Sequence, residues 1–192
     1  MSDPNPLLRE RARMVVIDMQ RVFAEPSSEW ATPGFEQAAA GIRRLAEGFY
    51  GRTIFTRFVP ESPPVGAWVD YYEQWPFALE RRATEIYDLV PEFAAIAGAT
   101  VDCPTFSKWP ALRERLGDAD QIVLTGVSTD CCVIATALAA ADAGMRVLVA
   151  ADACAGLSPE DHDRALAAMA LFTPHIVVAT VDEILASVSE GA

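Results

Sequence analysis

The chain has 192 residues, 52% of them hydrophobic and 22% charged, with a formal net charge of −12 at neutral pH. That length and balance fit one domain with a buried core and exclude a disordered chain, while the acidity excludes nucleic acid and anionic lipid surfaces as partners, since both require a basic face. No apolar run approaches the roughly 18–20 residues of a membrane-spanning helix, and the opening "MSDPNPLLRERAR" lacks the apolar centre of a secretion signal, so the expected setting is the cytoplasm.

In chain order, apolar runs occur at "MVVID" (14–18), "RTIFT" (52–56), a weaker "ATVDC" (99–103), "QIVLTGV" (121–127), "RVLVAAD" (146–152) and "HIVVAT" (175–180). Their apolar residues are consecutive rather than alternating, which marks strands buried on both faces, as in a parallel sheet. Helices are expected over about 34–49, about 108–117, 131–143, 159–171 and 181–188. Ser158-Pro159-Glu160-Asp161 reads as a capped start with proline at the first helical position, and Gly144 as a C-terminal stop. The alternation predicts an α/β fold: a three-layer, Rossmann-like single domain over 1–192 with a mostly parallel six-stranded sheet. The segment 57–80, rich in proline and aromatics, is too long for a routine connection and is expected to form a lid or an interface.

Ligands of such sheets bind beyond the carboxyl ends of the strands, so polar residues there come first. Asp18 ends the first run; burial would disfavour its charged form unless a cation lies near, making it a candidate base or, equally, a turn cap. Lys108 in "TFSKWP" would matter only beside that carboxylate. In "GVSTDCCV" (126–133), Thr129 and Asp130 are suitable N-caps, which puts Cys131 and Cys132 in the first turn of a helix. Amides and dipole there favour a thiolate and an oxyanion, a setting that suits one functional cysteine without choosing which. With no C-x-x-C pair the four cysteines read as reduced thiols; Cys103 and Cys154 read as packing residues, and His162 as lying on an exposed helix face.

These residues, in this order, resemble the isochorismatase-like cysteine hydrolase superfamily through "VVIDMQRVF", "TFSKW", "LTGVSTDCCVIATALAAADAGMRVLVAADACAG" and "SPEDHDRALAAMA". The resemblance implies a catalytic triad of Asp18, Lys108 and Cys132, with Cys131 at a variable position. It also implies a cis peptide at Val127–Ser128 and an oxyanion hole from the Ser128 and Cys132 amides. The implied reaction is hydrolysis of a C–N bond in a small amide, carbamoyl or cyclic imide through a thioester. Metal-binding members carry histidines after the second strand, where this chain reads "FTRFVPES", so neither metal nor other cofactor is expected. Phe23, Trp68, Tyr72 and Trp75, with Tyr71 beside them, are expected to line the substrate pocket, and the partners are a small-molecule substrate and further copies of the chain in a homodimer or larger assembly. Two alternatives stand beside this: vinyl ether hydrolysis with Asp18 as the acid, and a noncatalytic or redox-sensing module built on Cys131 and Cys132.

Overall fold

A computed structural model of the chain describes residues 7–189. Residues 1–6, part of the stretch read above as carrying no secretion signal, lie outside the described residues. Six strands, β1 (Arg13–Ile17), β2 (Thr53–Phe58), β3 (Val101–Cys103), β4 (Gln121–Val127), β5 (Arg146–Ala155) and β6 (Ile176–Ala179), form one sheet in the order β3-β2-β1-β4-β5-β6. Every pairing is parallel. The helices are α1 (Arg21–Ala24), α2 (Phe35–Ala46), α3 (Trp68–Gln74), α4 (Pro76–Glu80), α5 (Pro91–Ala94), α6 (Trp109–Leu112), α7 (Ile134–Asp142), α8 (Pro159–Ala170) and α9 (Val181–Ser189).

The consecutive apolar residues of the central strands serve two cores at once. In β1, Met14 and Val16 join the cluster containing Phe35, Ile42, Leu45 and Ile184, from α2 and α9. Val15 and Ile17 join the opposite one, with Leu112, Ala137, Ala141 and Met169 from α6, α7 and α8. Side chains of a strand alternate faces, so a strand covered on both sides must be apolar throughout, and all seven residues of β4 are buried. Helix α8 begins as its sequence predicts: the Ser158 hydroxyl accepts the Asp161 amide at 3.1 Å, and Pro159 opens the helix.

Two expectations about local structure change. The segment 57–80, too long for a routine connection, is largely regular structure, because β2 runs on to Phe58 and α3 and α4 occupy most of the remainder. The start of the helix after β4 is a wide turn over Thr129–Val133, in which the Ser128 carbonyl accepts the Val133 amide five residues on at 3.1 Å. Neither Thr129 nor Asp130 caps it. The Asp130 carboxylate instead accepts the Leu157 amide at 3.1 Å, and the Thr129 hydroxyl bonds His162.

Candidate active site

The strand order reverses between β1 and β4, since β2 and β3 extend the sheet one way from β1, and β5 and β6 the other way from β4. The chain therefore leaves these two central strands in opposite directions, and a crevice opens beyond their carboxyl ends. Asp18 follows β1 directly, and Cys132 lies in the turn after β4. Close approach of the two strands depends on Gly126. Its φ is +105°, and a Cβ there would meet the Ile17 carbonyl oxygen at 2.1 Å.

Asp18 has φ 51°, in the left-handed region that non-glycine residues seldom occupy. The conformation is held from several sides. The Thr56 hydroxyl donates to Asp18 Oδ1 at 2.6 Å, and the Asp18 amide donates to the same hydroxyl oxygen at 3.3 Å. Thr56 lies one step beyond the last paired residues of β1 and β2, Val16 and Phe55. Gln20 pins the chain just beyond, because its side chain accepts from the Phe58 amide at 2.8 Å and donates to the Phe58 and Tyr87 carbonyls at 3.0 and 2.6 Å.

Lys108, placed by the connection from β3 to α6, reaches the same point. Its Nζ is 2.8 Å from Asp18 Oδ2, and neither side chain has any exposed surface. The ammonium also donates to the Thr105 carbonyl at 2.9 Å and sits 4.9 Å from the centre of the Phe58 ring. The Lys108 amide donates to the Thr136 hydroxyl at 2.9 Å, and that hydroxyl donates to the Cys132 carbonyl at 2.7 Å. One threonine thus ties the lysine's backbone to the turn that carries Cys132. Burial alone would lower the Lys108 pKa, but the Asp18 charge, with Cys132 after it, raises it above the ordinary lysine value.

Cys132 is buried, with Asp18 and Lys108 both acting on its thiol. Burial pushes that thiol well above its ordinary value; Lys108 pulls it down, and Asp18 pushes it up again. The sequence suggested a stabilised thiolate from a helix N-terminus. In the structure burial outweighs the nearby ammonium, so the thiol is raised above its ordinary value rather than lowered. Cys131 is half-buried and is raised to about 11, first by burial and then by Asp130 and Asp161. The Val127–Ser128 peptide is cis.

A cavity of about 60 Å³ opens over Cys132, lined by Phe23, Trp30, Phe58, Tyr71, Phe106 and Leu157 together with Ser128 and Cys131. Of the five aromatics expected to line the pocket, the structure brings Phe23 and Tyr71 there. Trp68 and Tyr72, four residues apart on α3, face a separate depression with Glu61, Val65 and Pro104. Trp75 packs against Trp30, 6.3 Å between ring centres. Neighbouring positions on a helix differ by about 100°, so Tyr71 turns to the cavity where Tyr72 turns away. Trp30 was missed entirely. It packs with Phe23, Phe58, Tyr71 and Phe77 at 5.0–6.2 Å between ring centres, as the hub of the aromatic wall.

His162 is corrected as well. It is half-buried on α8, and its Nδ1 lies 2.8 Å from the Thr129 hydroxyl, so α8 braces the turn that carries Cys132. Thr56, Thr136 and His162 carried no signal as individual residues. The parallel alignment of β1 with β2 was the one available pointer to Thr56. Among the described residues no group of three or more His, Cys, Asp or Glu side chains is placed to hold a metal ion, and no helix is long and apolar enough to cross a membrane.

The chain is thus a doubly wound α/β domain with a carboxylate, an ammonium and a thiol gathered at its switch point. The Isochorismatase domain model matches residues 12–183, and the chain belongs to that hydrolase family. The isochorismatase domain-containing protein 2 of Rattus norvegicus is 37% identical over 83 residues, 42% of this chain and 40% of the relative; the match thus spans about two fifths of that relative's length. Among solved structures, a cysteine hydrolase from Pseudomonas syringae pv. phaseolicola 1448A superposes with a TM-score of 0.79 at 22% identity, covering 100% of both chains. An N-carbamoylsarcosine amidase from Thermoplasma acidophilum superposes with a TM-score of 0.65 at 20% identity, covering 89% of this chain and 96% of the other. At those identities the two structures establish the shared fold.

Proposed function

We propose that the protein is a cysteine hydrolase that cleaves a C–N bond of a small amide, carbamoyl or cyclic imide through a thioester on Cys132. The observation that carries this reading is the fully buried contact of Lys108 Nζ with Asp18 Oδ2 at 2.8 Å, acting on the one cysteine thiol that is both buried and open to the aromatic cavity. Because that thiol is protonated at rest, attack is coupled to proton transfer. Asp18 takes the proton as Cys132 Sγ forms a bond to the carbonyl carbon, and the C=O electron pair moves onto oxygen. The Ser128 and Cys132 amides receive that oxyanion, a role supported by the presence of both residues in the cavity lining. As the carbonyl re-forms the C–N bond breaks, and the leaving nitrogen takes the proton from Asp18. Water then gives a proton to Asp18 and attacks the thioester carbonyl. The S–C bond breaks, the acid departs, and the proton returns from Asp18 to sulfur.

Lys108 serves this cycle by fixing the position of Asp18 and offsetting the negative charge that Asp18 and the thiolate share. The test is amide turnover in three variants, read as released ammonia. Cys132→Ala abolishes turnover, Asp18→Asn does the same, and Cys131→Ala retains it. Hydrolysis of a vinyl ether that depends on Asp18 but survives loss of Cys132, with no ammonia released from amides, would instead indicate ether-type hydrolysis with Asp18 as acid. Equal alkylation of Cys131 and Cys132, without turnover, would favour a redox-sensing module.

A further inference from the structure

The cavity over Cys132 is lined without charged side chains although an ion pair lies next to it. Its wall consists of six apolar or aromatic side chains, and among the described residues no Lys, Arg, His, Asp or Glu side chain lines it. The ammonium nearest the thiol, Lys108, presents no surface to the cavity, and its Nζ is already engaged by Asp18 Oδ2 and the Thr105 carbonyl. Apart from Lys108, the charges next to the cavity's cysteines are acidic. Asp130 precedes Cys131, with one carboxylate oxygen on the Leu157 amide and the other 3.9 Å from the Cys131 sulfur. Asp161 also acts on Cys131, and the cation beside it, Arg164, is held by Asp161 and Glu160. Tyr71, the phenol in the wall, stays neutral because burial raises it above its ordinary value.

A carboxylate in such a cavity would lose its hydration and find no counter-ion, and it would approach through the field of a chain with net charge −12. A flat uncharged ring loses little on entering and gains contact with aromatic faces on several sides. We infer that the site selects uncharged amides whose acyl portion is an aromatic or compact apolar ring, and rejects amides that carry a carboxylate on that portion. This specificity rests on the cysteine hydrolase reading above and narrows it.

The discriminating pair is terephthalamide and terephthalamate, which have the same size and ring and differ in one group, a carboxamide or a carboxylate. With the full chain, kcat/KM for the uncharged compound is expected to exceed that for the anion by about 100-fold or more, since a charge left buried without a partner costs at least two factors of ten. Ratios near unity, or in favour of the anion, overturn the specificity and leave the hydrolase reading in place. A second measurement does not require turnover. Alkylation of Cys132 by iodoacetamide and by iodoacetate, located by fragment mass spectrometry, is compared with the same pair on free N-acetylcysteinamide. A neutral-to-anionic rate ratio at least about tenfold above that of the free thiol supports the inference, because each factor of ten reflects a modest electrostatic preference. An unchanged or smaller ratio refutes it. Failure of both amides to release ammonia while this alkylation ratio is raised counts against the hydrolase reading alone.

Discussion

Replacing Lys108 with methionine keeps most of the length of the side chain and removes its charge, leaving Asp18 buried without its partner. Both side chains lack exposed surface and the N–O separation is 2.8 Å, so water cannot take over the role of the ammonium. Breaking a pair of this kind from one side costs about 3–5 kcal/mol, most of it the penalty of the orphaned charge. The Thr56 hydroxyl bond to Asp18 Oδ1 persists in the variant and places the loss towards the lower end of that range. At roughly 2–4 °C per kcal/mol for a domain of this size, the midpoint of thermal unfolding falls by about 10 °C. The second variant needed is Lys108→Met with Asp18→Asn, which removes both charges and recovers about half or more of the lost stability, because no charge is left buried alone. Urea unfolding at constant m-value supplies both numbers, and the same proteins assayed for amide turnover should both be inactive. The reasoning is refuted if Lys108→Met costs less than about 1 kcal/mol, the worth of an exposed pair, or if the double variant is no more stable than the single one.

The same geometry sets three further outcomes. Gly126→Ala places a Cβ at 2.1 Å from the Ile17 carbonyl at a φ of +105°, and should cost more than about 3 kcal/mol in urea unfolding or abolish folding; Gly117→Ala, with φ +60° and nothing within 4 Å, should cost only about 1 kcal/mol. Thr136→Val removes the acceptor of the buried Lys108 amide and the donor to the Cys132 carbonyl, so stability should drop by about 1–3 kcal/mol and kcat should fall, with Thr136→Ser restoring both. Cys132 and Lys108 each hold a proton more tightly folded than unfolded, so their contribution to stability is complete below ordinary values of 9.0 and 10.5 and is lost as pH rises past them. Iodoacetamide labelling of Cys132 should accordingly keep accelerating beyond pH 9.0, and a labelling plateau in the neutral range would contradict a protonated resting thiol.

The sheet was legible because burial on both faces writes itself into the strands as unbroken apolar runs. "QIVLTGV" matches β4 residue for residue, and even the weak run at 99–103 contains β3. Asp18 and Lys108 were legible only as polar residues just past strand ends. Nothing local says that they meet, since 90 positions separate them in the chain; the contact arises from strand order, with β1 central and the β3 connection turning back over it. The aromatic wall was misread for the opposite reason. The composition of 57–80 announces a cover, but facing depends on the phase of a seven-residue helix, and a shift of one position exchanges Tyr72 for Tyr71. Trp30 lies outside that segment, in a connection with no periodicity to suggest that it would become the hub of the wall.

The thiol exposes the deeper limit of sequence reasoning here. A cysteine after an N-cap suggests a thiolate, because the exposed amides and the dipole are local properties of a helix start. Burial is not local. Cys132 lies under the cavity floor beside Asp18, and removal from water outweighs the nearby ammonium, so the site stores its reactivity in a proton acceptor within reach rather than in a preformed anion. A neutral thiol is also a weaker target for stray oxidants than a thiolate, because oxidation follows thiolate character. In the proposed mechanism the ion pair would have two tasks that sequence cannot separate: keeping a base poised in a region where a lone carboxylate would be costly, and balancing the negative charge only when the substrate carbonyl arrives to draw the sulfur forward.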